Sequence, residues 1–258
     1  GRHRRRFPHR RMKSKLRPKP EPPPVAQPLP EPVPTTRRGQ EQVLSGNRCR
    51  RLVLVLGDQL DADSAVFDGF DPALDRVWMA EVAHEATQVW STKPRIAVFL
   101  AAMRHCRDAL IKRGITVHYR ALGEHNAPTL DAALAEDLAR LKPEAVIAVT
   151  PGEWRLAQSL PATCREAGAR WIERDDTHFL ASREDFARWA TGRKEYRMEY
   201  FYREMRRHHD VLMDGDQPVG GQWNFDHDNR EAFDARGPGF LPAPIRFEPD
   251  ATTREVID

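Results

Sequence analysis

The chain has 258 residues, with 41 Lys and Arg against 38 Asp and Glu, a formal charge of +3. That length supports one large or two small domains, and no apolar run approaches the ~18 residues of a membrane span, so no membrane partner is expected. Three scattered cysteines, Cys49, Cys106 and Cys164, make neither a disulfide framework nor a paired-thiol metal site, and a reducing cytoplasm is the expected setting.

The charge is uneven. Residues 1–50 hold 14 of the basic residues but 3 of the acidic ones, a formal +11, and 10 of the 21 prolines; the remainder carries −8. The folded part therefore offers no global electrostatic case for nucleic acid. Arg2–Arg17 is a basic block and Pro18–Pro34 a proline-rich spacer. Such a segment buries too little apolar area to offset its ordering entropy, so residues 1–50 read as a disordered tail. It is either a nonspecific tether for nucleic acid or an upstream extension with no selected role; residue 1 is not Met, and Met12 is the tail's one methionine.

The first element is Leu52–Leu60, LVLVLGDQL. Its unbroken apolar run predicts a strand covered on both faces. Gly57 then permits a sharp turn, which places Asp58 and Gln59 at the carboxyl end of the sheet, where open α/β domains bind ligands. The competing reading is an ordinary first strand with a polar turn. Asp61–Asp75 reads as a loop or short helix, and Arg76–Val82 as the second strand. Arg95–Arg113 has helical apolar spacing, with Pro94 in its first turn and Gly114 as its stop. Ile115–Leu122 is the third strand, Thr129–Leu141 a helix, Ala145–Thr150 the fourth strand. A helix follows to about Ala167, and Arg170–Arg174 is the fifth strand. The alternation predicts a parallel sheet with right-handed crossovers, an α/β, Rossmann-like doubly wound domain over residues 51–178.

Residues 179–250 change character. Ser182 caps a short helix, and Arg193–His209 (RKEYRMEYFYREMRRHH) reads as a basic, aromatic helix. A turn-rich excursion, Asp214–Phe225, leads to an irregular stretch. A helix then begins within residues 251–258, capped by Thr252 or Thr253, and stops short, which leads us to expect that the natural chain continues.

Four groups carry candidate chemistry. Asp58 and Gln59 with Glu81 and Glu85 could line a crevice beside the first strand and accept hydrogen bonds from ribityl or ribose hydroxyls. The turn is not GxGxxG, so a diphosphate cradle is not indicated. Pro151–Arg155 (PGEWR) suits a ligand clamp, or equally a helix start with Trp154 as core anchor and Glu153 favoured by the helix dipole. The helix bearing Tyr196, Tyr200, Phe201 and Met205 among arginines suits base stacking with phosphate contacts, or docking on a neighbouring domain. His208, His209 and Asp226–Asp228 lack metal-ligand spacing.

These motifs occur in one order: LVLVLGDQL, Glu81-x-x-x-Glu85, IAVFLAAMRH (Ile96–His105), TPGEWR (Thr150–Arg155), GRK (Gly192–Lys194), MEYFYREMRR (Met198–Arg207), LMDGDQPVGGQWNFD (Leu212–Asp226) and EVID (Glu255–Asp258). Together they resemble the cryptochrome/photolyase family, in its group of photolyase-related proteins that includes the iron–sulfur bacterial cryptochromes and prokaryotic (6-4) photolyases. The resemblance covers residues 51–258.

It implies an N-terminal antenna domain holding 6,7-dimethyl-8-ribityllumazine. A C-terminal helical domain would carry FAD, a [4Fe–4S] cluster on four cysteines and the damaged DNA, and light-excited reduced FAD would donate an electron to the lesion. This chain would then be the antenna domain, the interdomain connection and the first turns of the FAD domain, without catalytic competence of its own. By the same resemblance Asp58, Gln59 and Glu85 match the lumazine pocket, with Gly57, Leu60 and Glu81 beside them and Leu56 and Val89 as apolar walls. Trp90–Arg95 (WSTKPR) departs from the His- and Lys-rich run common in the family. The alternatives are a stand-alone lumazine- or flavin-binding module and a cryptochrome-type photoreceptor fragment without repair activity.

Overall fold

A computed structural model describes residues 49–227, 230 and 232–258. The disorder expected for residues 1–48 lies outside these. Cys49 and Arg50, assigned to the tail by composition, belong to the fold: Cys49 is buried, and Arg50 donates to Asp75 through Nε and Nη2 at 2.9 and 2.7 Å.

Five parallel strands form the sheet: β1 (Arg51–Leu54), β2 (Arg76–Ala80), β3 (Val117–Arg120), β4 (Ala145–Val149) and β5 (Arg170–Arg174), in the order β3-β2-β1-β4-β5. β1 is central, with Val53 opposite Val77 on one side and Ile147 on the other. The order reverses at β1, so the loops after β1 and β4 diverge and open a crevice at their carboxyl ends. The fold is the expected α/β doubly wound one. As read for residues 61–75, β1 reaches β2 through a loop with a short 3₁₀ turn (Ala65–Phe67), held by Ser64 Oγ accepting from Val66 N–H.

After β2 come the short α1 (Ala83–Thr87) and the long α2 (Lys93–Lys112); α3 (Leu130–Leu141) joins β3 to β4, and α4 (Trp154–Glu166) joins β4 to β5. The alternation along β1 makes two cores. Leu52, Leu54 and Leu56 face α3 and α4, packing with Leu134, Leu138 and Leu160. Val53 and Val55 face α2 and the 3₁₀ turn, packing with Met103, Leu110 and Val66. Both cores are continuous because every residue of β2 and β4 is buried, which is why these strands read as unbroken apolar runs. Trp154 is not the core anchor of its helix. It is the first helical residue and is exposed, while Leu156, Leu160 and Cys164 carry the buried stripe.

Beyond the sheet, α5 (Arg183–Ala190) starts with a reciprocal cap between Ser182 and Asp185. The basic helix α6 spans Met198–His209 and begins five residues later than predicted. Gly192 adopts φ +75° and turns the chain, so that Tyr196 packs on Phe186 and Trp189 before the helix starts. Two short antiparallel strands, β6 (Met213–Asp214) and β7 (Gln217–Pro218), follow. The last helix, α7 (Ala251–Ile257), is capped by Asp250, which accepts from Thr253 N–H, and not by Thr252 or Thr253. It packs along α2, where Glu255 pairs with Arg104 at 3.2 Å.

Candidate ligand site at the carboxyl edge of the sheet

The crevice at the strand-order reversal holds a cavity of about 290 Å³. Its walls are mostly apolar: Leu56 at the end of β1, Ala80 and Val82 at the end of β2, Phe99 and Met103 from α2, and Leu130 and Leu156 from the facing helices. Carboxylates stand among them. The volume is near the small end of the roughly 300–1,000 Å³ range of ligand pockets. It suits one compact ring system with a polar tail better than a dinucleotide.

Six of the residues that the resemblance placed at a pocket line this cavity: Leu56, Gly57, Asp58, Glu81, Glu85 and Val89, and Glu153 of the PGEWR motif joins them. Gly57 lies in the expected turn, closed by Gln59 N–H donating to Leu56 O at 2.9 Å, and the structure gives it a second purpose. Its φ is ordinary, but an added Cβ would lie 2.4 Å from Phe99 Cζ and 2.9 Å from Met103 Sδ. Only a glycine admits α2 this close to β1, and that closeness shapes the apolar wall. Gly57→Ala is expected to cost about 1–3 kcal/mol as overpacking and to push the Phe99 ring outward. Thermal unfolding of the variant checks this; an unchanged Tm would mean that the half-exposed ring swings aside freely.

Asp58 sits across the reversal, with Oδ2 3.2 Å from where a Cβ on Gly152 would be. Its surroundings push its carboxyl up, first by desolvation and then through Asp176 and Glu153. Because the side chain is exposed, that push is partial. Glu85 on α1 meets Arg155, whose Nη2 donates to Glu85 Oε1 at 2.5 Å. Arg155 also binds both oxygens of Glu153 at 3.0 Å. Two motifs that sequence kept apart, Glu81-x-x-x-Glu85 and PGEWR, thus close into one acid–arginine–acid bridge over the crevice.

Glu81 departs from its expected role as an acceptor for ligand hydroxyls. It is 1% exposed, and its oxygens accept four hydrogen bonds: from Arg104 Nε and Nη2 at 2.8 and 3.0 Å, from Tyr119 OH at 2.5 Å and from Leu122 N–H at 2.8 Å. Burial alone would raise this carboxyl. The bonds from Arg104, Tyr119 and Leu122 outweigh that, and Glu81 is held below the usual carboxylate range. It is a braced wall of the cavity. Arg104 and Tyr119 were not singled out from sequence; a lone Arg inside an apolar helical stripe was the available signal.

Gln59 and Leu60 are not brought to the cavity. Gln59 Nε2 donates to Thr150 O at 2.8 Å and ties the β1 loop to the β4 loop. Leu60 packs against the core on the α2 side.

The cysteines do not converge. Cys49 and Cys164 are buried on the α3/α4 side of the sheet, and Cys106 packs on the α2 side. Burial pushes the thiols of Cys49 and Cys164 up to about 11 and about 12, so they are inert packing groups. Among the described residues no group of three or more His, Cys, Asp or Glu could hold a metal ion. The residues present therefore do not fit an iron–sulfur cluster. No helix among the described residues is long and apolar enough to cross a membrane.

The aromatic surface of α6 is partly used within the chain. Phe201 packs edge-on against Phe186 with centroids 5.3 Å apart. Trp223 lies beneath the guanidinium groups of Arg203, Arg206 and Arg207 at 5.4, 5.2 and 4.7 Å. Arg203 also pairs with Glu199. Tyr200 and Phe225 are exposed, while Phe201 and Trp223 are half-buried.

A parallel sheet that reverses its strand order at a mostly apolar, carboxylate-rimmed cavity defines a doubly wound α/β domain with a pocket of small-ligand size. The chain belongs to the family described as deoxyribodipyrimidine photo-lyase-related protein, whose pattern it matches over residues 53–258. It is 41% identical over 209 residues to a protein of Agrobacterium fabrum named "(6-4) photolyase"; that match covers 81% of this chain and 41% of the relative. The chain thus spans well under half the length of that curated relative.

Proposed function

We propose that residues 51–258 are the light-harvesting half of a photolyase-related flavoprotein of light-driven DNA repair, of the (6-4) photoproduct type, and that the cavity holds 6,7-dimethyl-8-ribityllumazine. The observation that carries this reading is the cavity: about 290 Å³, apolar around a ring-sized space, with Asp58 and the Glu85–Arg155–Glu153 bridge as polar partners at its edge. Carboxylates accept from the hydroxyls of a ribityl chain, and apolar walls exclude water from the ring. The chromophore, when bound, would absorb light and pass the excitation on. The chain's own residues do no chemistry on it.

FAD, the [4Fe–4S] cluster and the damaged DNA are assigned in this reading to a C-terminal domain outside these 258 residues. The exposure of four large apolar side chains, Phe233, Phe240, Ile245 and Phe247, in one stretch of chain supports a partner of that kind. A cytoplasmic location and nonspecific nucleic-acid contact by the tail belong to the same proposal.

The test is an absorption spectrum of the 258-residue chain after incubation with the ribityl lumazine or with FAD and then desalting. Lumazine retained without FAD is the expected result. Retention of neither would overturn the antenna assignment, and retention of FAD would favour a self-sufficient flavin-binding module. Glu85→Ala removes one polar partner and frees Arg155. It is expected to weaken lumazine binding by roughly 1–3 kcal/mol, measured by fluorescence titration; unchanged affinity would remove Glu85 from the site.

A further inference from the structure

Trp90 lines the cavity yet is 99% exposed. Its neighbour Val89, also a lining residue, is 75% exposed. A large aromatic side chain exposed to water at the rim of an apolar cavity has most of its area still to bury.

The backbone around it is free to deliver that contact. Trp90 lies in the connection between α1 and α2, whose two ends are pinned: Gln88 N–H donates to His84 O, and Ile96 N–H donates to Thr92 O. Between them, among the described residues, no hydrogen bond holds the backbone amides of Val89, Trp90 or Ser91, or the indole N–H of Trp90. Thr92 starts α2 without a side-chain cap bond. A short rotation of this connection moves the indole without disturbing either helix. The Phe99 ring lies close over Gly57 and forms another wall of the same cavity.

We propose that Trp90 is the residue that covers the ligand ring, folding its indole over a flat heteroaromatic group held against the Phe99 wall. The inference rests on the chromophore reading of this cavity and assigns Trp90 the ring, as distinct from the ribityl chain assigned to Asp58 and Glu85. Stacking of an aromatic side chain on a heteroaromatic base is commonly worth enough to change affinity about tenfold or more. Because the side chain makes no packing contact of its own, its replacement should leave the fold intact.

The experiment is a titration of the 258-residue chain, and of its Trp90→Ala and Trp90→Phe variants, with 6,7-dimethyl-8-ribityllumazine. Ligand fluorescence anisotropy and tryptophan emission are followed together, with thermal unfolding as the fold control. Trp90→Ala should raise Kd about tenfold or more, Trp90→Phe should stay within about threefold of the parent, and Tm should not move in either. The parent should lose a component of tryptophan emission on binding that neither variant loses. Equal Kd in parent and Trp90→Ala overturns the role of Trp90 and leaves the chromophore reading standing. A parent chain that binds no lumazine overturns both.

Discussion

Arg104→Ala is expected to destabilise the domain by roughly 3–5 kcal/mol, because it strands a buried carboxylate. Arg104 is 7% exposed and Glu81 is 1% exposed. The guanidinium supplies two of the four hydrogen bonds that Glu81 accepts, and with it gone the carboxylate keeps Tyr119 and the Leu122 amide but no counter-charge. For a domain of this size each kcal/mol moves Tm by about 2–4 °C, so a fall of roughly 10 °C is expected in thermal unfolding. Two comparisons separate this from simple loss of packing. Glu255, the other partner of Arg104, is 56% exposed, and Glu255→Ala should cost less than about 1 kcal/mol, as exposed pairs do. Replacing both members of the buried pair, Glu81→Leu with Arg104→Met, should recover most of the loss. If Arg104→Ala costs no more than Glu255→Ala, Glu81 is not held by this pair. The effect reaches the site as well, since Glu81 is part of the cavity wall.

The second large effect is on the acid side. Asp137 on α3 is buried under the sheet. Its Oδ2 accepts from Trp78 Nε1 at 2.8 Å and lies 2.9 Å from His118 Nε2, while Arg120 and Arg140 stand at 3.6 and 3.3 Å. Burial alone would raise this carboxyl, but the bonds from His118 and Trp78 outweigh it and bring it down to about 2. An unfolded Asp titrates at ~3.9. The folded value is the lower one, so ionised Asp137 favours the fold. That contribution is fully present above about pH 5 and is lost as pH falls through ~4 towards 2. It amounts to about 2–3 kcal/mol, and Glu81, also held low, adds in the same direction.

Asp137→Asn should therefore lower stability at neutral pH by about 2 kcal/mol and flatten the decline between about pH 5 and pH 2. Urea midpoints taken across that range measure both. A variant whose acid limb runs parallel to that of the parent would place the titrating group elsewhere.

Much of the fold was legible in the chain itself. The apolar runs at 52–56, 77–80 and 145–149 are strands because a strand buried on both faces has no polar positions to alternate. The capping residues Thr129 and Ser182 announce their helices because the unpaired amides of a first turn need a nearby oxygen. The order of short motifs was enough to indicate the family. Local chemistry of this kind acts over a few residues and is written where it acts.

What only the tertiary structure decided was which residues meet. Glu81 and Glu85 lie four apart, yet one is locked by Arg104 and Tyr119 while the other bridges to Arg155, seventy positions away. Gly57 sits in the turn its neighbourhood suggests, but the close approach of Phe99, from a helix distant in sequence, is a second demand that only the packing reveals. Arg206, one of the arginines of the basic helix, is buried and donates to the nearby carbonyls of Val211 and Leu212. For Glu81, Glu85 and Gly57 the deciding partner is distant in sequence, and a charge or a ring acquires its role from whatever packing brings within a few ångströms. Sequence alone therefore determined the sheet, its helices and the family. Packing determined which carboxylates brace the wall of the cavity and which stand at its edge.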